Sequence, residues 1–443
     1  MPKIDFEAFE DLVNYSKYFG KDLIELKEIR DRQDSDLLEG IVKKSTEKVE
    51  RTSTNYVEGS SFFIGSVDFM VHRSEEGKKE FSIIETNGGS SRGLSILHEK
   101  GWERIYRGFE ETFKFTDEDP LVLIGHPKGD RLVQEKIFLA ENIASDEEIE
   151  FLGRRAHKSS GIVMGAYDEI LPRLELDGNV PIFDGEPVDV MIGDGIVRRQ
   201  DEFERKGMNG ELETVLVNEI FPETDDKALT YEAVNMCSDD LEKFRIHPLD
   251  YRAVSNREEL IESCKEFVDE KGEAVIKPYG GSGGNGVNII TDPSMVEERI
   301  EESLNEFFSK FGEDRRAFPY TICEKVNFRP IEWEGAERNF DIRIYVARVG
   351  DEIIPCGGLA RIALESVDSE HRKKSFVVNL SGYEGIDVGR GVAISKEGFD
   401  ILDLNKEDFV DLFSASVVLF NKIVDNHENV LDSFEKRIEK TLR

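Results

Sequence analysis

The chain has 443 residues, 39% hydrophobic and 34% charged, which suits two or three packed lobes and excludes a fibre or a wholly disordered chain. Its 58 basic and 93 acidic residues give a net charge of −35, a surface that repels nucleic acid and anionic lipid. No apolar run approaches the ~18 residues needed to span a bilayer, and the first residues lack a signal-peptide core, so a cytoplasmic location without membrane or nucleic-acid partners is expected. Cys237, Cys264, Cys323 and Cys356 form no CxxC pair and read as reduced core residues.

In chain order, residues 4–55 carry the apolar spacing of helices, with Phe6, Phe9, Leu12 and Val13, then Leu23, Ile24, Leu26 and Ile29. Residues 61–71 and 80–85 read as two strands around the charged loop 73–79, which lets them pair as a hairpin. Asp68 lies on the first strand. Glu85 and Asn87 lie on the second, two residues apart and hence on one face. Two carboxylates and an amide oxygen suit a magnesium ion bridged to phosphate; a structural hairpin is the plain alternative. Residues 121–125, the turn HPKGD and the helical LVQEKIFLAENI open an α/β subdomain that closes near residue 200.

A helical stretch follows at 226–246, then strand, glycine loop and strand at 273–291, and a helix at 294–312. Strands are expected at 319–326, 340–349 and 353–364, and helices after about 405. Mixed strands and helices throughout make the fold class α/β or α+β.

The strongest local signal is AVIKPYGGSGGNGVNII at 274–290. Gly281, Ser282, Gly283, Gly284 and Gly286 sit in a hairpin whose backbone N–H groups can approach a phosphate without side chains in the way. Lys277, at the end of the first strand, is placed to neutralise that phosphate. G-K-[ST] is missing and a strand follows the loop, so this is neither a P-loop nor a Rossmann fingerprint. Lys227, at the start of a helix, becomes the second phosphate or adenine contact when paired with Lys277.

The KPxxGSGGxGV pattern with its preceding DK-helix resembles the ATP-grasp superfamily. That resemblance implies ATP held between two α+β lobes under the glycine flap. It further implies a hinge at Glu324, Lys325 and Val326, and a DxR strand with Asp341, Arg343 and Arg361 as candidates. Metal strands first and flap last is similar to the circularly permuted order of eukaryotic glutathione synthetase. By that resemblance Ser90 and Ser91 contact the acyl substrate. Residues 377–395 occupy the place of a second mobile loop, with Asn379 and Arg92 as further substrate contacts.

This chain departs from that family in two places. Gly281 stands where a further acidic metal ligand is found, and Ser66 where an arginine precedes the metal aspartate. Arg92, Arg343 or Arg361 would then take the phosphate role. The implied cofactors are ATP and two Mg2+ ions, and the implied partners are small carboxylate and amine substrates, with a homodimer possible in the family. The implied activity is a carboxylate–amine ligase working through an acyl phosphate. A small-molecule kinase and a non-catalytic ATP-binding module remain open. The expected organisation is 1–115 with helices and metal strands, 116–205 as an inserted α/β subdomain, 206–400 as the nucleotide lobes and 401–443 as terminal helices.

Overall fold

The computed structural model describes residues 27–49, 62–73, 77–89, 95–114, 120–127, 161–197, 212–281, 283–313, 315–326, 328–369, 372–382 and 385–430, and residues 4, 5, 133, 135, 136, 139, 203, 206, 207, 432 and 436 besides. Strands β1 (Ile64–Arg73) and β2 (Lys79–Asn87) form the hairpin read from the sequence. After helix α1 (Glu99–Lys114), strands β3 (Leu121–His126), β4 (Gly161–Ala166), β5 (Val190–Ile192) and β6 (Val215–Val217) build a parallel sheet. Every residue of β3 and β4 is buried, as strands covered on both faces require.

Helix α2 (Lys227–Met236) leads to a four-stranded antiparallel sheet of β7 (Tyr251–Val254), β8 (Ala274–Lys277), β9 (Asn288–Ile290) and β10 (Tyr320–Glu324), in the order β7-β10-β8-β9. Two helices, α3 (Arg257–Lys271) and α4 (Val296–Phe311), cover it through Leu260, Phe267, Ile300 and Phe307. Each begins acidic and carries a lysine in its last turn, complementing the helix dipole.

The central element is an antiparallel sheet in the order β13-β12-β11-β1-β2, completed by β11 (Phe340–Val349), β12 (Glu352–Ile362) and β13 (Gly391–Ala393). The N-terminal hairpin thus joins directly onto the DxR strand, 275 residues away at the Asp68–Arg343 contact. Strict alternation sends Phe340, Ile342, Ile344 and Val346 into one core with Val67 and Phe69, and Asp341, Arg343 and Tyr345 to the opposite face. Helix α5 (Lys406–Asp425) fills that core and is buried on nearly all sides, as its run of apolar residues requires. Asn405 caps it by accepting from the N–H groups of Glu407 and Asp408. A Cβ on Gly65 would lie 2.5 Å from the Phe420 ring, so only glycine lets α5 approach β1 this closely.

Two expectations change. Ile4–Asp5, read as the start of a helical stretch, is a strand paired parallel to β4, because the sheet edge satisfies its backbone groups. The parallel sheet runs past residue 205 to its edge strand β6. Helix α5 belongs to the central core and packs on the helix Ser35–Lys48. No described helix is long and apolar enough to cross a membrane.

Candidate functional site

The polar face of the central sheet is set by register. Arg343 stands opposite Asp68, Arg361 opposite Asp341, and Glu85 opposite Asp68 on the other side. By strict alternation Glu85 and Asn87 would share the apolar face of Phe81 and Ile83. One extra residue, Ile84, opens a β-bulge opposite the Asp68/Phe69 step and reverses the parity, so Glu85 and Asn87 face the same way as Asp68.

Three buried charges, Asp68, Asp341 and Arg361, lock together there with the partly exposed Arg343. Arg343 Nε and Nη2 donate to the two oxygens of Asp68, each at 2.6 Å. Arg361 Nη2 donates to Asp68 Oδ2 at 2.8 Å, while its Nε and Nη2 hold Asp341 at 2.8 and 2.5 Å. Burial raises the Asp68 pKa, but the Arg343 and Arg361 charges outweigh it and hold the carboxyl at about 2. For Asp341 burial wins against Arg361 and, with the Asp68 charge beside it, pushes the carboxyl up to about 6.

Two of the expected site residues are thus engaged by the arginines. Asp341, expected among nucleotide contacts, is 2% exposed with both oxygens on Arg361, and so orients that guanidinium. Asp68, expected as a metal ligand, already has both oxygens engaged; Oδ1 alone, with one donor, keeps a free lone pair.

Glu85 and Asn87 are more open. With its amide turned to satisfy both neighbours, Asn87 accepts from Arg343 Nη2 at 3.1 Å and donates to Glu85 Oε1 at 3.2 Å. Among the described residues no three His, Cys, Asp or Glu side chains gather around one point. The donor set that fits a hard cation is therefore Glu85, the Asn87 amide oxygen and Asp68 Oδ1, sparse enough to leave most of an octahedral shell to phosphate and water.

Both predicted lysines converge beside Glu85. Lys227, the first residue of α2 after its cap Asp226, places Nζ 3.2 Å from Glu85 Oε1 and donates to the carbonyls of Gly281 and Asp225, each at 3.2 Å. Lys277, at the end of β8, donates to the Ile84 carbonyl at 3.2 Å and to the Tyr231 hydroxyl at 2.7 Å.

The glycine loop folds against the later segment. Gly284 has φ +75° and Gly286 φ +80°, which glycine adopts freely, and a Cβ on Gly284 would lie 2.3 Å from Val377. A Cβ on Gly283 would lie 3.4 Å from Asn379 Nδ2, which places Asn379, expected as a substrate contact, beside the glycine loop. Gly286 N–H donates to Glu306 at 3.1 Å, and its carbonyl accepts from Ser303. At the hinge, Glu324 N–H donates to the Asp250 carbonyl at 2.9 Å, the Lys325 ammonium pairs with Glu273 at 2.6 Å, and Val326 is buried at the junction of the two antiparallel sheets. Ser90, Ser91, Arg92 and Ser282 lie outside the described residues.

Sequence reasoning missed Tyr231, Glu306 and the Ile84 bulge. Tyr231 had a signal: it follows Lys227 by four residues, one helical turn along the same face. Glu306 and the bulge had none, since neither a distant contact nor an inserted strand residue marks the local pattern.

No protein-family model matches the sequence, and no curated protein matches it. Among solved structures, the chain is similar to a glutathione synthetase-like effector from Globodera pallida, at 14% identity and a TM-score of 0.41 over 83% of this chain and 86% of that one. It is similar to a protein assigned as a gamma-glutamylcysteine synthetase from Methylobacillus flagellatus KT, at 11% identity and a TM-score of 0.48 over 97% and 99%. A D-alanyl-alanine synthetase A from Vibrio cholerae follows, at 12% identity and a TM-score of 0.32 over 65% and 79%. At these scores the likenesses carry no argument about activity.

Proposed function

We propose that this chain is an ATP-dependent carboxylate–amine ligase of the ATP-grasp type, acting on an amino acid or short peptide through an acyl phosphate. One observation carries the reading. Four cations, Lys227, Lys277, Arg343 and Arg361, converge with Glu85 and Asn87 on one sheet face beside a glycine loop. Two lysines and two arginines form a site for a polyanion, and the open hard-oxygen donors suit a cation that accompanies it.

In this reading Lys227 and Lys277 hold the nucleotide phosphates, and Glu85 and Asn87, with Asp68 Oδ1, hold magnesium. Magnesium bound there would neutralise charge on the phosphate oxygens. A substrate carboxylate oxygen attacks the γ-phosphorus, the bond to the β-phosphate oxygen breaks, and ADP leaves. The amine nitrogen then attacks the acyl carbon, the C–O bond to phosphate breaks, and the nitrogen loses a proton. Arg343 and Arg361 stabilise charge developing on the transferring oxygens, already aimed by Asp68 and Asp341 and so needing little reorganisation. The 280–287 loop excludes the water that would hydrolyse the acyl phosphate.

The test is ADP and phosphate release with Mg-ATP across amino acids and short peptides, singly and in pairs. Phosphate release that requires one free carboxylate and one free amine supports the ligase. ADP formed with a single partner and no free phosphate would replace it with a kinase.

A further inference from the structure

We infer that Tyr231 is a positioning residue for the nucleotide: with the Ile84 carbonyl it forms an uncharged clamp that aims Lys277 at the phosphates. The inference rests on the nucleotide reading above and adds to it a residue outside the pattern of lysines, glycines and carboxylates.

Tyr231 is 1% exposed, packed among Met70, Leu249, Val275, Cys323 and Val326 where the central sheet meets the four-stranded sheet. Its hydroxyl accepts from Lys277 Nζ at 2.7 Å and lies 3.1 Å from the Ile84 carbonyl and 3.6 Å from Cys323 Sγ. A hydroxyl has one proton to give. The shorter contact and stronger acceptor direct it to Ile84, the extra residue of the bulge. Lys277 Nζ donates to that same carbonyl at 3.2 Å, closing a three-membered ring of hydrogen bonds. The ammonium also lies 5.3 Å from the centre of the tyrosine ring. Two of the three ammonium protons are thus fixed, and the third is left for a ligand.

The two lysines differ in what holds them. Lys227 is 3.2 Å from the Glu85 carboxylate, which offsets its charge. Among the described residues Lys277 has only neutral partners, a hydroxyl and a carbonyl. Burial, with Cys323 and Glu85 adding to it, raises the Tyr231 hydroxyl well above its ordinary value, so it stays neutral. A carboxylate in its place would orient the lysine and cancel the charge that attracts phosphate. A neutral hydroxyl orients it and leaves the charge whole. Ordering Lys277 before the ligand arrives also removes part of the entropy cost of binding. One turn of α2 therefore supplies both a phosphate lysine, Lys227, and the clamp for the other.

The experiment is a calorimetric titration of the full chain with MgATP, for the wild type, Y231F, K277M and the double variant. Y231F keeps the ring and loses the hydroxyl. It is expected to bind MgATP about tenfold more weakly, the scale of one hydrogen bond to a charged group. The double variant is expected to bind no more weakly than K277M alone, because the hydroxyl acts through the lysine. Y231F binding as tightly as wild type would overturn the inference. So would a double variant that loses both factors, the mark of a merely structural tyrosine.

The thermal shift produced by MgATP, compared with each variant's own ligand-free midpoint, reads the same difference if Y231F is less stable; an undiminished shift would count against the clamp. C323A, which leaves the ring of three hydrogen bonds intact, is expected to bind as wild type, and a loss matching Y231F would overturn the inference. A wild type that binds no MgATP would overturn the nucleotide reading itself, whereas tight wild-type binding with an unaffected Y231F removes the tyrosine's role alone.

Discussion

On one face of the central sheet Val67, Phe69, Ile342 and Ile344 press on helix α5; on the other, their immediate neighbours Asp68 and Asp341 hold charge away from water, paired with Arg343 and Arg361. The same strands build both. The apolar face stabilises the fold by about 1.5–3 kcal/mol for each large side chain fully buried. The charged face desolvates four ions and recovers roughly what it costs through their mutual attraction and hydrogen bonds, so it adds little net stability. Stability lives on one face and the proposed chemistry on the other, and substitutions should separate them.

The largest expected effect is at the charged face. Arg361→Ala would strip Asp341 of the guanidinium that holds both its oxygens and take one of three donors from Asp68. Breaking such a buried pair costs about 3–5 kcal/mol. A urea midpoint unchanged from wild type would show the cluster to be more solvated than its burial implies. The proposed ligase turnover should vanish in the same variant.

Phe420→Ala tests the opposite face at nearly equal cost. Its ring stacks on Phe62 at 4.7 Å and fills the space above Gly65. The expected loss is about 3–5 kcal/mol of stability. Its affinity for MgATP, measured below the unfolding transition, should match wild type; a weakened affinity would mean that the two faces are not independent.

Glu85→Gln should do the reverse. The side chain is 29% exposed, so folding should tolerate the isosteric amide, while loss of the open carboxylate should lower turnover by about 100-fold. Retained turnover would remove Glu85 from the proposed metal-holding set.

Much of this division was legible in the sequence, and the reasons for the gaps are physical. Alternation in 340–349 gave away which residues share a face, and the glycines of 280–287 marked a backbone open to ligand. Glu85 and Asn87 could be placed on one face with each other, two residues apart, and near Asp68 through the hairpin; the register that puts all three on one face comes from Ile84, and nothing local announces a bulge. Asp341 looked like a ligand contact because a sequence does not show that Arg361 stands across from it. Tyr231 stands among apolar residues of its helix and draws no notice by type, although its spacing from Lys227 carries the information.

His72 offers the smallest test, at the far end of the polar face. Its Nε2 lies 3.1 Å from the Ser82 hydroxyl, and Glu80 and His247 flank the ring, at 3.9 Å from Nδ1 to carboxylate oxygen and 6.2 Å between ring centres. Burial lowers its pKa below 6.5, against the pull of Glu80 and with the neighbouring His247 adding to the shift. Below pH 6.5 the unfolded chain therefore binds a proton more readily than the folded one. Stability from this group is present above that pH and is lost as pH falls through the depressed folded value. The slope it contributes cannot exceed about 1.4 kcal/mol per pH unit. His72→Gln removes the titration, so wild type and variant should diverge in urea midpoint between pH 7 and 5.5, the wild type falling faster. Parallel curves would mean that the imidazole is as solvated in the fold as in the open chain, and that the polar face ends before it reaches His72.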